Sequence, residues 1–347
     1  MKLRKISELQ ENDVVGKTVM TNDYQILLSE GTVLKQSYIS KLKDLNIKEI
    51  YVHTPKDDMR DSTVIQQEVR ESMETRLEKL VGQYTHGQDE SLKKVAEMAS
   101  EIVEELLTNE NLLDRVYNIQ EKSVNLYEHS LNVSIYVTIT ALKMNYKKEQ
   151  VRHLAEAALL HDLGLQKMSF NICEVDVFGL SFGEEQEYKK HPLYSYEAVK
   201  EEDWLSEETK LLILKHHERN DGTGFPLHVD KITELSSILN ICELFDEMMS
   251  GIGCKPTKVY EAIELIKFYS EKYFSKTVVD VFLQFIAIFP VGSKVVLDNG
   301  KEATVVKQNN GFPERPIISV PTEDGKGTEI CDLMKIKTLN IVKVLSE

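Results

Sequence analysis

Five of the chain's nine histidines follow one another in a regular order: His129, then His161 beside Asp162, then His191, then the pair His216 and His217. Successive members lie 25 to 32 residues apart, about one helix plus its connection each time. Glu243 follows on the next helix. The text between them reads as helices with apolar faces: LNVSIYVTITAL, HLAEAALL, TKLLILK and LSSILNICELFDEMM. Few folds let each helix deliver one ligand, or an adjacent pair, to a shared interior point, and a helical bundle around metal is the foremost of them.

Local context supports that reading. His129 shares a helical face with Leu126 and Val133, and His161-Asp162 follows the apolar run AEAALL. Glu243 and Asp246 lie on a helix with so little polar face that a carboxylate there needs a partner, a hydrogen bond or a metal. Each histidine alone reads as an ordinary core or surface residue; the set strains that explanation. Imidazole and carboxylate suit Fe, Mn or Zn, and the absence of nearby thiolates argues against a structural zinc site. Cys173, Cys242, Cys254 and Cys331 are scattered without a CxxC pair and are expected to be reduced and mostly buried. Six or seven ligands exceed one tetrahedral site and point to two metals sharing a carboxylate. Such a pair clamps a phosphodiester, activates water and stabilises the leaving oxygen.

Charge narrows the partners. With 42 basic and 57 acidic residues the net charge is -15, which argues against broad attraction to nucleic acid or anionic membrane. An anionic ligand therefore needs local positive charge, which bound cations would supply. The longest apolar stretch, residues 278 to 291, is interrupted by Asp280 and Gln284 and is too short to span a bilayer. The N-terminus lacks the apolar core of a signal peptide, so the expectation is a cytoplasmic protein without a membrane span.

The expected fold class is mainly α: a helical bundle with a small N-terminal α+β module and a small C-terminal all-β domain. Residues 1–55 mix short β-prone pieces with one helix near Gln36 to Leu45. Residues 56–111 read as a helical linker, apolar at helical spacing from Ile65 to Tyr84 and again from Leu92 to Leu106. That seam is expected to pack on its own domain, with a homodimer through residues 62–108 as the lesser reading. Residues 112–288 form the bundle. From 289 to 347 the pattern turns to alternation, with a hairpin expected around Asp298-Asn299-Gly300 and a β-barrel-like tail. Gly-Phe-Pro occurs twice, at 224–226 after the paired histidines and at 311–313 between two candidate strands, where a plain turn is expected.

At HD (161–162), HP (191–192) and HHERNDGTGFP (216–226) the sequence resembles the HD-GYP family, all-helical metal-dependent phosphodiesterases that hydrolyse cyclic di-GMP. The likeness covers roughly residues 115–288. It implies two divalent cations, Fe or Mn foremost, one held by His129, His161, Asp162 and Glu243 and a second by His191, His216 and His217. Asp162 would bridge them and orient the attacking water. Glu243 stands where the family usually has Asp, Asp246 matches a second Asp of the same motif, and Asn125 stands where some members carry a Glu for a third metal.

The family often has a phosphate-binding Lys where this chain has Leu165, and an Arg is common where it has Ile252; Lys255 is kept, and Lys167 is a substitute to consider. Phe225 replaces the GYP tyrosine, keeping the ring and losing the hydroxyl. Arg219, Asp221, Gly222, Gly224, Phe225, Pro226 and Lys255 are the expected substrate-binding residues. Arg219 is weighed equally as half of an internal salt bridge. The implied reaction is hydrolysis of cyclic di-GMP to pGpG or GMP. The alternatives are a catalytically weak or inactive cyclic-nucleotide receptor, and an HD hydrolase acting on another nucleotide.

Overall fold

The computed structural model describes residues 67–85, 90–108, 125–309, 312–322 and 328–345, with residues 2–6, 9–10, 13–15, 19–20, 26–28, 32, 34–44, 47 and 49–53 of the N-terminal module. That module is a compact unit of its own. Strands β1 (Lys2–Lys5), β5 (Glu49–His53) and β2 (Val14–Val15) form an antiparallel sheet in the order β1-β5-β2, and β3 (Val19–Met20) pairs with β4 (Ile26–Leu28). Its core joins Val15, Ile50 and Val52 to Ile39 and Leu42 of helix α1 (Gln36–Asp44).

In the second unit, α2 (Gln67–Thr85) and α3 (Glu90–Thr108) lead into α4 (Leu126–Lys143) and α5 (Lys148–Leu160). Leu77, Leu80, Leu92, Val95, Ala99, Ile102 and Leu106 are buried in one core with Leu131, Ile135, Leu154 and Ile238. Within the stretch read as a linker, α2 and α3 pack against helices of the same chain, as expected of their apolar seam. Ile65, the first residue of that seam, lies outside the described residues.

Helix α4 forms despite a β-branched run (Val133, Ile135, Val137, Thr138, Ile139, Thr140) that disfavours helix intrinsically. Burial on nearly every side outweighs that preference. The hydroxyls of Thr138 and Thr140 donate to the carbonyls of Ser134 and Tyr136 at 2.7 Å each, so no hydroxyl is stranded in the core. Asn125 caps its start by accepting from the N–H groups of Tyr127 and Glu128.

The bundle continues through α6 (Phe182–Tyr188), α7 (His191–Val199), α8 (Glu207–Leu214), α9 (Glu234–Ser250), α10 (Val259–Tyr269) and α11 (Lys276–Leu283). Helix α9 packs along α4 and ends at Gly251, whose φ of 80° is the left-handed stop that glycine adopts freely. Among the described residues no helix is long and apolar enough to cross a membrane.

The tail is an antiparallel sheet of β6 (Lys294–Leu297), β7 (Glu302–Lys307), β8 (Ile317–Pro321), β9 (Thr328–Asp332) and β10 (Ile341–Val344), in the order β10-β6-β7-β8-β9. The β6–β7 hairpin turns at Asp298-Asn299-Gly300, with Gly300 at φ 81°. At the second Gly-Phe-Pro, Gly311 lies outside the described residues. Phe312 is half exposed and sits in a turn, its N–H donating to the Asn309 carbonyl at 3.0 Å. The expected fold class, mainly α with small mixed and all-β ends, is the one found.

Candidate metal centre

Helix ends carry most of the centre. His129 lies in the first turn of α4, His161 directly follows α5, and Asp162 precedes a short 3-10 turn, Leu163–Lys167. His191 opens α7, and His216 and His217 come just after α8. Glu243, Asp246 and Glu247 lie within α9. Gly164 lets the 3-10 turn close against α7, since a Cβ there would collide with the His191 carbonyl; its N–H donates to Ser195 Oγ at 2.8 Å.

The imidazoles are oriented through Nδ1. His161, His191 and His216 donate from Nδ1 to the carbonyls of Ala158, Tyr188 and Ile213 at 2.7, 2.7 and 2.6 Å, and His129 donates to Asp246 Oδ2 at 2.8 Å. Each therefore presents a bare Nε2 to the interior when neutral. Those atoms surround Asp162. Its Oδ2 lies 3.3 Å from His161 Nε2 and 3.7 Å from His129 Nε2, and its Oδ1 lies 3.4 Å from His191 Nε2 and 4.0 Å from His216 Nε2.

Glu243 falls on one side of this arrangement. Its Oε1 is 3.1 Å from His217 Nε2 and 3.7 Å from His216 Nε2. The ligand atoms of His129, His161 and Asp162 group without it, whereas Glu243 groups with Asp162 and His216 and again with His217 and Glu247. Glu has one methylene more than the usual Asp, and its carboxylate reaches toward the paired histidines.

Electrostatics favour a cation here. Burial pushes His191 down to about 4 and holds His216 and His217 well below the usual histidine range, so these rings are neutral. The Nε2 atoms of His191 and His216 then face each other as lone pairs 3.0 Å apart. Burial would also lower His129, but the Asp246 hydrogen bond and charge outweigh it and raise this group to about 9. Burial pulls the Asp162 carboxyl up, yet the surrounding histidines, His161 first, hold it well below the carboxylate range. Burial and then Glu247 raise Glu243, and Glu247 itself is pushed up to about 8, chiefly by burial. His129 Nε2, His161 Nε2 and Glu243 Oε2 are buried without a hydrogen-bond partner. Orphaned atoms of this kind need an explanation; a divalent cation among three or more ligand atoms within 4.8 Å of one another supplies it. The residues fit such a group.

The Gly-Phe-Pro loop buttresses the paired histidines. Phe225 stacks on His217 with centroids 4.5 Å apart, its N–H donates to the His217 carbonyl, and Tyr188 packs against both rings. Gly224 is required by close approach, since a Cβ would collide with Glu218 Cα and the Arg219 backbone. Gly222 has φ 73°, and the Phe225-Pro226 peptide is cis. Glu218, which sequence reasoning passed over, is fully buried and accepts from the N–H groups of Leu227, His228 and Val229.

Of the other residues expected at the substrate, Arg219 is close enough to Glu247 for its charge to lower that carboxyl. The Arg219 guanidinium lies over the Tyr273 ring at 4.4 Å, and Asp221 accepts from the Thr223 N–H and hydroxyl. Lys255 is exposed, and Lys167 lies over the Tyr194 ring at 5.5 Å. Leu165 and Ile252 are 7% and 4% exposed and share one apolar cluster with Ile172. A cavity of about 330 Å³ borders Asp162, lined also by Leu77, Asn125, Ser130, Gln166 and Asn171; among the described residues no basic one lines it. Glu247 was missed because nothing in ELFDEM marks it except its position one turn after Glu243.

The HD domain family pattern matches residues 93–278, and a KOW domain associated with HD domains matches residues 294–347. Cyclic di-GMP phosphodiesterase PA4108 of Pseudomonas aeruginosa is 27% identical over 244 residues, 67% of this chain and 57% of that protein. Cyclic di-GMP phosphodiesterase PdeB of Borreliella burgdorferi is 28% identical over 217 residues, 61% of this chain and 56% of that protein. The chain thus spans a little over half the length of these curated relatives. The solved structure of Bd1817, an HDG"Y"P protein from Bdellovibrio bacteriovorus, shares the fold at TM-score 0.52 and 18% identity, covering 81% of this chain and 97% of that one. More than half of the chain lies within the matched HD span, and every histidine and carboxylate of the centre falls inside it: the chain belongs to the HD domain family, with its HD-GYP members.

Proposed function

We propose that the chain is a metal-dependent phosphodiesterase that hydrolyses cyclic di-GMP to pGpG or GMP. The observation that carries this reading is the ring of Nε2 atoms facing the two oxygens of Asp162. The activity named for both curated relatives supports the substrate. His129, His161 and Asp162 would hold one divalent cation and His191, His216 and His217 a second, with Asp162 offering one oxygen to each group. Glu243 and Glu247 would complete the side of His217. Bound there, Fe or Mn would supply Lewis acidity toward the phosphate and lower the pKa of water. The chain's own residues fix the geometry: backbone carbonyls and Asp246 aim the imidazoles, Asp162 stays charged, and Phe225 with Tyr188 covers His217 and His191.

A second reading, a nucleotide receptor without turnover, is favoured by one observation. Leu165 and Ile252 are buried in one apolar cluster with Ile172, where the family often carries phosphate-binding cations. The test loads purified protein anaerobically with Fe or Mn, measures metal on the same sample, and assays cyclic di-GMP, a cyclic GMP-AMP dinucleotide and mononucleotides. Turnover of cyclic di-GMP well above a His161→Ala, Asp162→Ala control is expected. Binding without turnover would establish the receptor, turnover of another nucleotide would change the substrate, and neither would end both readings.

A further inference from the structure

Helix α2 precedes the matched HD span, yet it reaches the centre. Arg70, Glu74, Leu77 and Val81 recur at helical spacing along it. Leu77 and Val81 line the cavity that borders Asp162, Glu74 accepts from Asn125 Nδ2 at 2.8 Å, and Arg70 is buried against Glu128 and Asn132 of α4. A buried guanidinium is costly unless its hydrogen bonds are used, so its placement beneath α4 calls for a purpose.

The purpose follows from donor and acceptor chemistry. Arginine only donates, so the Asn132 amide must turn its oxygen to Arg70 and its NH2 the other way. That NH2 donates to Asp246 Oδ1 at 2.9 Å. The other oxygen of Asp246 accepts from His129 Nδ1 at 2.8 Å, leaving His129 Nε2 pointed at Asp162. Asn132, Asp246 and His129 are all buried, so water does not substitute freely for any link.

We propose that Arg70 is a positioning residue for His129, anchoring the Asn132 amide that holds Asp246 and making α2 a working wall of the centre. This rests on the metal-binding reading of His129. Removing the guanidinium strips the Asn132 oxygen of its charged donor, so the amide that holds Asp246 is anchored less firmly and the ring that Asp246 aims is loosened. Loss of an outer partner of this kind typically weakens metal affinity by about 10 to 100-fold.

The test titrates Mn²⁺ into the full chain by calorimetry, with thermal unfolding followed on the same samples. Arg70→Met is expected to weaken Mn²⁺ binding at least about tenfold. Arg70→Lys, which also only donates, should stay within about threefold of the parent, because a charged donor to the Asn132 oxygen is kept. Leu80→Ala, in the core from the same helix and away from the cavity lining, should lower Tm and leave affinity alone. Should Arg70→Met fail to fold, Arg70→Gln replaces it: glutamine is shorter and uncharged, so the charge-assisted bond to Asn132 is lost and weakening is again expected. Unchanged affinity in the Met or Gln variant, or equal weakening in Leu80→Ala, would overturn the proposal. A parent chain that takes up no Mn²⁺ overturns the metal reading and this proposal with it, whereas a parent that binds while the variant matches it overturns this proposal alone.

Discussion

The two sides of the centre are built to opposite rules. Around Asp162 nearly every polar atom is aimed by a specific partner, and Nε2 atoms converge with little else to satisfy them. A few residues away, Leu165, Ile172 and Ile252 form an apolar surface, and the nearby cations Arg219 and Lys167 lie over tyrosine rings. The first arrangement gathers histidines and carboxylates whose atoms could hold metal. The second packs Leu165 and Ile252 into one apolar cluster with Ile172. Changes that preserve metal binding while removing phosphate contacts would leave catalytic potential intact and shift the burden of substrate recognition.

Breaking the polar side should have the largest effect. His161→Ala with Asp162→Ala is expected to reduce kcat/KM by about 1000-fold or more and to lower metal content measured on the same sample, because the Lewis acid and the shared carboxylate go together. Rebuilding the apolar side sharpens the comparison from the other direction. Leu165→Lys with Ile252→Arg should lower KM for cyclic di-GMP by roughly tenfold for each phosphate contact regained, taking about 1.5 kcal/mol per charge-assisted hydrogen bond. An unchanged KM would show that the apolar wall does not face the substrate.

Glu247→Gln tests the margin of the polar side: Mn²⁺ affinity should fall about tenfold if this carboxylate is a ligand beside His217 and Glu243, and stay unchanged if it is a bystander. The smallest effects belong to the two Gly-Phe-Pro segments. Phe225→Tyr keeps the ring stacked on His217 and should hold kcat/KM within roughly threefold. Phe312→Ser, at a half-exposed turn position, should leave stability within about 0.5 kcal/mol by denaturant unfolding.

Much of the centre was legible in the sequence because metal ligands are rare residue types at helix-length spacing. Identity and order alone brought out His129, His161, Asp162, His191, His216, His217 and Glu243 as one set. Which of them face each other was not legible: Glu243 joins His216 and His217, a choice made by how far its side chain reaches from α9. Glu218 and Arg70 were invisible for a related reason. A glutamate after two histidines and an arginine in a charged helix look like solvated surface, and only folding buries them against backbone amides and Asn132. The apolar seam of α2 and α3 packs on its own domain, as the sequence reading expected, although heptad spacing by itself also suits a seam with a second chain.

The sequence by itself determined the helical bundle, the β tail with its hairpin, and the chemistry of the ligand set, since hydrophobic periodicity and residue type are local properties. Tertiary structure alone decided the Arg70, Asn132, Asp246 and His129 chain, whose links between α4 and α9 join residues 114 and 117 apart, and the burial of Leu165 and Ile252 in one apolar cluster. Hydrogen-bond direction and side-chain packing depend on which groups meet across the core, and a linear pattern does not record that meeting.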